Sequence, residues 1–387
     1  MTRIALVCEP PDGGAAEHVT HLALGLPAHG YEPTVFAPAR FGAAGRLASG
    51  GVDVRVLAFR RELSAAQSHA RALASLVGEL RSGRYSLVHA HAAKAGLLAR
   101  VAAARTGART VYTPHCFPFV GDISAARRRF ALTTERRLGL ATDAVVCVCH
   151  EERDLAVASG IRPRQRLAVV HNGVPAHEVP ADPRLLELRG RGPVVGAVTV
   201  FRRQKRIDLL LACATRVLRE VPDAQFAIVG GGPEERRLRA QASRLGANVS
   251  FVPFQWPSAR ALRAMDVYVL SSAWEALPLG LLEAQACGIP QVVTDVGGNR
   301  EAVTSATGVV VPPGDPGALA EALVALLRDP DRRASMAAAS RERHATRFSV
   351  ERMVADTAAL YDDVLGAPTT TAAVGGRELS VAGDSAG

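Results

Sequence analysis

The sequence predicts an α/β protein made of two doubly wound lobes facing each other across a cleft. Its 387 residues exceed the ~250–300 at which a single core stops growing, which points to two domains of average size. Short apolar runs alternate with amphipathic stretches of helical period, the pattern of parallel strands covered on both faces by helices. The alternation restarts after a proline-rich connection, PAHEVPADP at 175–183.

The elements follow in order. RIALVC at 3–8 is a buried strand that runs into PPDGG, and AEHVTHLALGLPAHG is a helix closing on Gly30. YEPTVFAP and VDVRVLA are strands, the second leading to an alanine-rich helix from about Ser64 to Leu80. SLVHAH at 86–91, RTVYTPH at 109–115, DAVVCVCH at 143–150 and LAVVHNGV at 167–174 complete the first series. The second begins with PVVGAVTVF at 193–201 and a helix from Ile207 to Val221, then runs through AQFAIVGGG, VSFVPF, DVYVLSS, PQVVTDV and GVVVPPG. The expected boundaries are 1–178 for the first domain, 184–347 for the second, and 348–366 for a helix crossing back to the first. Residues 367–387 lack a periodic apolar face and are expected to be disordered.

A formal charge of +9 and a pI near 9.8 favour an anionic partner: a nucleotide, a phosphate, nucleic acid or an acidic membrane surface. Nucleic acid is disfavoured because no aromatic-rich basic stripe is present. No apolar run approaches the ~18 residues of a membrane span and the N-terminus does not read as a secretory signal, so a cytoplasmic protein is expected. The six cysteines form no C-x-x-C pair and are expected to be reduced thiols. Cys147, Cys149 and His150 are conceivable metal ligands, but alternation in a valine-rich run fits a buried strand better.

Several segments carry chemistry. In PPDGG, Gly13 and Gly14 stand between a strand and a helix, where backbone N–H groups and the helix dipole suit a phosphate; a plain tight turn is the bland alternative. FRRQKRID places Arg202, Arg203, Lys205 and Arg206 at a strand end, where cations hold a diphosphate and would otherwise oppose the following helix dipole. AIVGGGPEE fails the dinucleotide spacing, since Glu235 stands where the third glycine belongs, and a dehydrogenase is only weakly supported. His115 in YTPHCF ends a strand and faces the cleft, though a lone histidine is as often structural. Asp329 and Asp331 form the one D-x-D, in a helix-to-helix connection that suits a turn and not a metal.

The sharpest pair is Glu275 and Glu283 in SSAWEALPLGLLEAQACG. A helix starting just before Leu279 leaves Glu275 in the preceding loop, puts Glu283 about one turn in, and sets the N–H groups of Leu279 and Gly280 between them. One carboxylate then suits ribose hydroxyls and the other a sugar beyond the phosphates. A glycosidase acid and nucleophile pair is the chemical alternative, opposed by the nearby cations.

GLLEAQACGIPQVVTDVGGNREAV, with Glu275 eight positions before Glu283, resembles the E-x7-E region of retaining GT-B glycosyltransferases of the large family 4. PPDGGAAEHVTHLALGL, HAHAAKAGLLAR, VYTPHCF, VCHEERDLAVASGI, VVHNGV, FRRQKRIDLLL and AIVGGGPEERRL resemble further family segments in the same order, so the resemblance spans the chain to about residue 366. It implies GT-B architecture, two Rossmann-like domains with a cleft between them. By resemblance, Gly13 and Gly14 approach the donor diphosphate, Arg202 and Lys205 hold it from the other lobe, and Leu279 and Gly280 complete the cradle. His115 then lies by the donor sugar, Glu275 binds sugar hydroxyls, Glu283 the ribose, and Phe254 neighbours the base. Neither a cofactor nor a metal is implied. Two positions depart: Val200 stands where many members carry arginine, passing that role to Arg202 or Arg203, and Ala276 replaces a frequent glycine.

The expected activity is transfer of a hexosyl or N-acetylhexosaminyl group, with retention, from a nucleotide sugar, UDP-linked in preference to GDP-linked, to a lipid-linked or small natural-product acceptor. A nucleotide-sugar epimerase or hydrolase of the same fold is the alternative. The helix RRRFALTTERR at 127–137 is a candidate contact with an anionic membrane, against the commoner solvated helix.

Overall fold

The computed structural model of the chain describes residues 1–57 and 66–366. The expected helix start near Ser64 and the tail 367–387 lie outside the described residues. In the first lobe β1 (Thr2–Cys8), β2 (Tyr31–Ala37), β3 (Asp53–Val56), β4 (Leu87–His91), β5 (Arg109–Thr113), β6 (Ala144–Cys147) and β7 (Arg166–Val169) form one sheet, ordered β3-β2-β1-β4-β5-β6-β7. In the second, β8 (Val194–Val200), β9 (Gln225–Gly231), β10 (Val249–Val252), β11 (Val267–Leu270), β12 (Gln291–Thr294) and β13 (Gly308–Val311) are ordered β10-β9-β8-β11-β12-β13. Every pairing is parallel.

Each sheet is buried on both faces, which is why its strands are near-continuous apolar runs: all five residues of β4 are buried, its two histidines included. Strand order reverses between β1 and β4 in one lobe and between β8 and β11 in the other. Ligand crevices of doubly wound sheets open at such points, outside the carboxyl ends of the strands. The two crevices face each other here.

One local expectation is shortened. DAVVCVCH does not continue as a strand to His150; β6 ends at Cys147, and Cys149 becomes the N-cap of the helix His150–Ala158, its sulfur accepting the Glu152 N–H at 3.4 Å. A capping demand at the start of the helix overrides the valine-rich alternation.

The lobes are tied in two ways. The last described helix, Val350–Leu365, sets Met353, Val354, Ala358, Leu360 and Val364 into the same core as Ile4, Leu22 and Val35 of the first lobe. Burial of each of its larger side chains contributes about 1.5–3 kcal/mol, enough in sum to hold the helix there. Gly25 permits this contact, since a Cβ on it would lie 2.7 Å from Val354 Cγ2. Tyr31 Oη donates to Asp362 at 2.5 Å from the same helix. Val148, Cys149 and Val174 in turn enter a core cluster of the second lobe with Leu277 and Leu281. No described helix is long and apolar enough to cross a membrane.

Candidate active site

Two helix N-termini meet across the cleft. Gly13, with φ 82°, is the N-cap of the helix Gly14–Gly25, a backbone conformation that disfavours any residue with a Cβ. Opposite, Pro278 caps the helix Leu279–Ala286. A Cβ on Gly14 would lie 3.6 Å from Leu279 Cγ, so the two first turns are in contact range. Neither terminus carries a side-chain cap hydrogen bond. First-turn N–H groups from both lobes, and both helix dipoles, are therefore available to an anion lodged beside this contact. Gly280 lets the second helix sit tightly, because a Cβ there would lie 3.0 Å from Tyr268 Oη and 3.3 Å from the Val198 carbonyl.

The strand-end cations pair with different partners. After β8 a single 3-10 turn, Arg203–Lys205, aims Lys205, together with the uncharged Gln204, at the loop after β11. Lys205 Nζ lies 2.5 Å from Glu275 Oε1, and Ser272 Oγ donates to the same oxygen at 2.6 Å. Arg206, at φ 47°, pairs with Asp208 at 3.1 Å. Arg203 is 81% exposed and lies 4.0 Å from Glu234, and Arg202 is exposed. The reason is local: the tight turn and the left-handed Arg206 fan successive side chains apart.

Glu275 and Glu283 occupy different settings. Glu275 is almost fully covered and held by Lys205, Ser272 and, at 3.4 Å, by Gln204 Nε2. Glu283 lies in the helix Leu279–Ala286, near Ser258 and facing Glu17 of the first lobe. Burial pushes its carboxyl up to about 7, the Ser258 hydrogen bond opposing and Glu17 reinforcing the shift. Phe254 is 51% exposed, whereas Trp256, 52% exposed, carries the Arg46 guanidinium 4.7 Å over its ring, so Phe254 is the aromatic more available to a flat ligand.

His115 and Cys116 follow β5 with φ of 52° and 101°, two consecutive non-glycine residues in left-handed backbone. Such conformations cost about 1–3 kcal/mol each and persist only where the surroundings enforce them. Here the enforcing group is Glu152, buried, whose two oxygens accept the Cys116 and Val148 N–H groups at 2.8 Å. His115 packs with His18 and His91, its Nε2 3.1 Å from His91 Nδ1. Burial, then the neighbouring histidines, holds His91 and His115 well below the usual imidazole range, so the cluster is neutral. Cys147 and Cys149, buried, do not join His150 in any group of potential metal ligands among the described residues. The groups that do gather are His18, His91 and His115, and His150, His171 and Glu301, each with ligand atoms within 4.8 Å of one another.

Glu301, on the second lobe, caps the first-lobe helix His150–Ala158. It accepts the His150 and Glu151 N–H groups at 2.6 and 3.1 Å and lies 2.7 Å from His150 Nδ1 and 2.9 Å from His171 Nε2. Burial opposes ionisation, but these hydrogen bonds outweigh it and hold the carboxyl at about 2. Glu151 returns the contact, accepting the Gly297 N–H at 3.2 Å. Asn172 joins the lobes beside the cleft, donating to the Leu277 carbonyl at 2.7 Å with its Oδ1 2.9 Å from His18 Nδ1.

Glu152, Asn172 and Glu301 were not singled out from the sequence. Acidic residues opening a helix read as dipole partners, and only their partners on other segments show more. Gly230 and Gly232 have a structural reason: Cβ atoms on them would lie 1.9 Å from the Thr199 carbonyl and 2.7 Å from the Phe201 carbonyl. Asp329 caps the helix Pro330–Arg347, accepting the Arg332 N–H at 2.9 Å.

Comparison with known proteins agrees with this geometry. Residues 13–173 match the glycosyl transferase 4-like domain and residues 180–343 the glycosyl transferases group 1 domain. The chain is 28% identical over 59% of its length to a UDP-Gal:alpha-D-GlcNAc-diphosphoundecaprenol alpha-1,3-galactosyltransferase of Escherichia coli, spanning 63% of that protein. It is 37% identical over 42% of its length to a GDP-mannose-dependent monoacylated alpha-(1-6)-phosphatidylinositol monomannoside mannosyltransferase of Corynebacterium glutamicum, spanning 45% of it. A D-inositol 3-phosphate glycosyltransferase of Thermobispora bispora is 30% identical over 76% of the chain and 74% of that protein. The chain thus spans less than two thirds of the first two relatives and about three quarters of the third. Anabaena HepE in complex with UDP and glucose shares the fold, with a TM-score of 0.80 and 21% identity over 94% of this chain and all of that one. The chain belongs to the group 1 glycosyltransferases, enzymes of the two-lobed GT-B architecture.

Proposed function

We propose that the protein transfers a hexosyl or N-acetylhexosaminyl group from a UDP-sugar to a lipid-linked or small-molecule acceptor, with retention at the anomeric carbon. The observation that carries this reading is the opposition of the Gly14 and Leu279 helix N-termini, with Lys205 and Glu275 paired beside them. A donor diphosphate lies against both sets of N–H groups, Glu283 takes the ribose hydroxyls, and Phe254 borders the base. Lys205 moves from Glu275 toward the phosphate, and Glu275 is then free to accept hydrogen bonds from hydroxyls of the transferred sugar.

In the reaction the bond from the anomeric carbon to the phosphate oxygen breaks as the acceptor oxygen approaches the same face. The departing phosphate takes the acceptor proton, so no protein base is required. Charge develops on the leaving phosphate, and fixed donors aimed at it are worth about 3–4 kcal/mol apiece in sites of this kind. The neutral His115 adds a hydrogen bond to the sugar without competing charge.

Relatives name both UDP- and GDP-linked donors, so the base is the first thing to test. Thermal unfolding with UDP- and GDP-sugars should show protection by a UDP-sugar, since a ligand bound to the native state raises its stability. Protection by GDP-sugars alone would replace the donor, and none by either would end the reading. Conversion of a protecting UDP-sugar without acceptor would favour an epimerase or hydrolase. The anomeric coupling constant of the product decides retention.

Work at the cytoplasmic face of an anionic membrane is part of this proposal. The helix Ala125–Gly139 exposes Arg127, Arg128, Arg129, Arg136 and Arg137, with Phe130 72% and Leu140 66% exposed. Such a face suits anionic lipid. Sedimentation with vesicles that is indifferent to anionic lipid would remove this part.

A further inference from the structure

A cavity of about 170 Å³ opens between the lobes beside Glu275. Liquid water takes ~30 Å³ per molecule, so the space is that of about six waters or one sugar ring. Its apolar wall is Phe117, Val120 and Leu155 from the first lobe and Trp274 from the second, and Glu151 and Asp295 add carboxylates. Neither the phosphate-side glycines nor Lys205 border it, so it extends from the far side of Glu275, where an acceptor approaches a sugar held there.

The charge of the lining is distinctive. Among the described residues, no lysine, arginine or histidine lines it. Glu275 is paired with Lys205 and Asp295 with Arg300, both cations lying outside the lining, while Glu151 accepts the Gly297 N–H. The buried Glu152 also lines it, bonded to two backbone N–H groups. A flat aromatic, aliphatic neighbours and acceptor oxygens are what a ring with hydroxyls or an ammonium wants. Against the described lining a phosphate would meet carboxylates and no cation.

We propose that this cavity receives the accepting ring, and that this ring is an uncharged or amine-bearing sugar or cyclitol carrying no phosphate of its own, with Glu151 and Trp274 setting the preference. The proposal rests on the nucleotide-sugar reading above. A hydroxyl of the ring bonds to the anomeric carbon as the bond to phosphate breaks, its proton leaving on that phosphate. A phosphate farther along the acceptor lies outside the cavity, toward Arg127–Arg129. Their helix abuts the wall through Arg128, which donates to the Gly121 carbonyl at 2.9 Å, next to Val120.

The test uses octyl α-glycosides of N-acetylglucosamine, galactose and glucosamine, the 6-phosphate of each, myo-inositol and inositol 3-phosphate. Each is added to the full chain with saturating UDP-sugar, and transfer and thermal protection are both read. Protection by UDP-sugar alone, in the same samples, reports the nucleotide reading separately. Neutral or amine-bearing rings should accept at least roughly tenfold better than their phosphorylated partners, the order expected of one nearby unit charge partly screened. Glu151→Gln should narrow that ratio several-fold, and Trp274→Ala should weaken the neutral rings. A phosphorylated ring that equals or exceeds its partner overturns the proposal. So does an unchanged ratio in Glu151→Gln, or no response from any neutral or amine-bearing ring while UDP-sugar protects.

Discussion

Glu275 and Glu283 belong to one short segment yet sit in opposite electrostatic situations. Glu275 has a lysine, a hydroxyl and an amide around it, and its charge is compensated before any substrate arrives. Burial, reinforced by the facing carboxylate of Glu17 and opposed by the hydrogen bond to Ser258, pushes the Glu283 carboxyl up to about 7. The difference teaches that a sequence pair of like residues divides its labour through what the fold brings near each. One is an ion held in reserve by a counter-ion that the donor can claim. The other is ready to be ionised by a ligand that donates to it.

The largest way to break this comparison is Lys205→Ala, which removes the counter-ion of Glu275 and a cation assigned to the proposed phosphate. Turnover in steady-state kinetics should fall about 10²–10³-fold, the scale of losing one preorganised donor to a developing oxyanion. Next comes Glu275→Gln. It should lower turnover about 10–100-fold while UDP binding, followed by titration calorimetry, stays equal or tightens, because Lys205 is released to the phosphate. Glu283→Gln should do the reverse, weakening UDP-sugar binding about tenfold with turnover at saturation nearly kept. The smallest effect is Gly13→Ala, which forces a Cβ into left-handed backbone and should cost about 1 kcal/mol in denaturant unfolding.

Much of the fold was legible because strands buried on both faces are continuous apolar runs and helices here are amphipathic; Ile207–Glu220 is expected from its spacing and found within one residue. The glycine turn at Gly13 and the helix start at Leu279 were legible from chemistry local to a few residues. Contacts made across long separations were not. Lys205 meets Glu275 seventy positions away, and nothing in FRRQKR distinguishes it from the arginines that turn elsewhere. The histidine cluster draws His18, His89, His91 and His115 from three segments, and Glu301 finds its partners 151 and 130 positions back. Glu152 looks like any acid in a first helical turn, yet it fixes the backbone that aims His115.

The division of labour between the two glutamates is tested most directly by the pH dependence of UDP-glucose binding, since the diphosphate diester of that ligand does not itself titrate near neutrality. Ribose hydroxyls donate to an ionised Glu283. A carboxyl with its value raised to about 7 is mostly protonated below that pH and ionised above it, so affinity rises with pH. Between pH 6 and 8 the wild type should gain about tenfold in affinity, as the ionised fraction does, and Glu283→Gln should bind weakly with no such rise. A flat wild-type profile, or the same rise in the variant, would contradict the assignment.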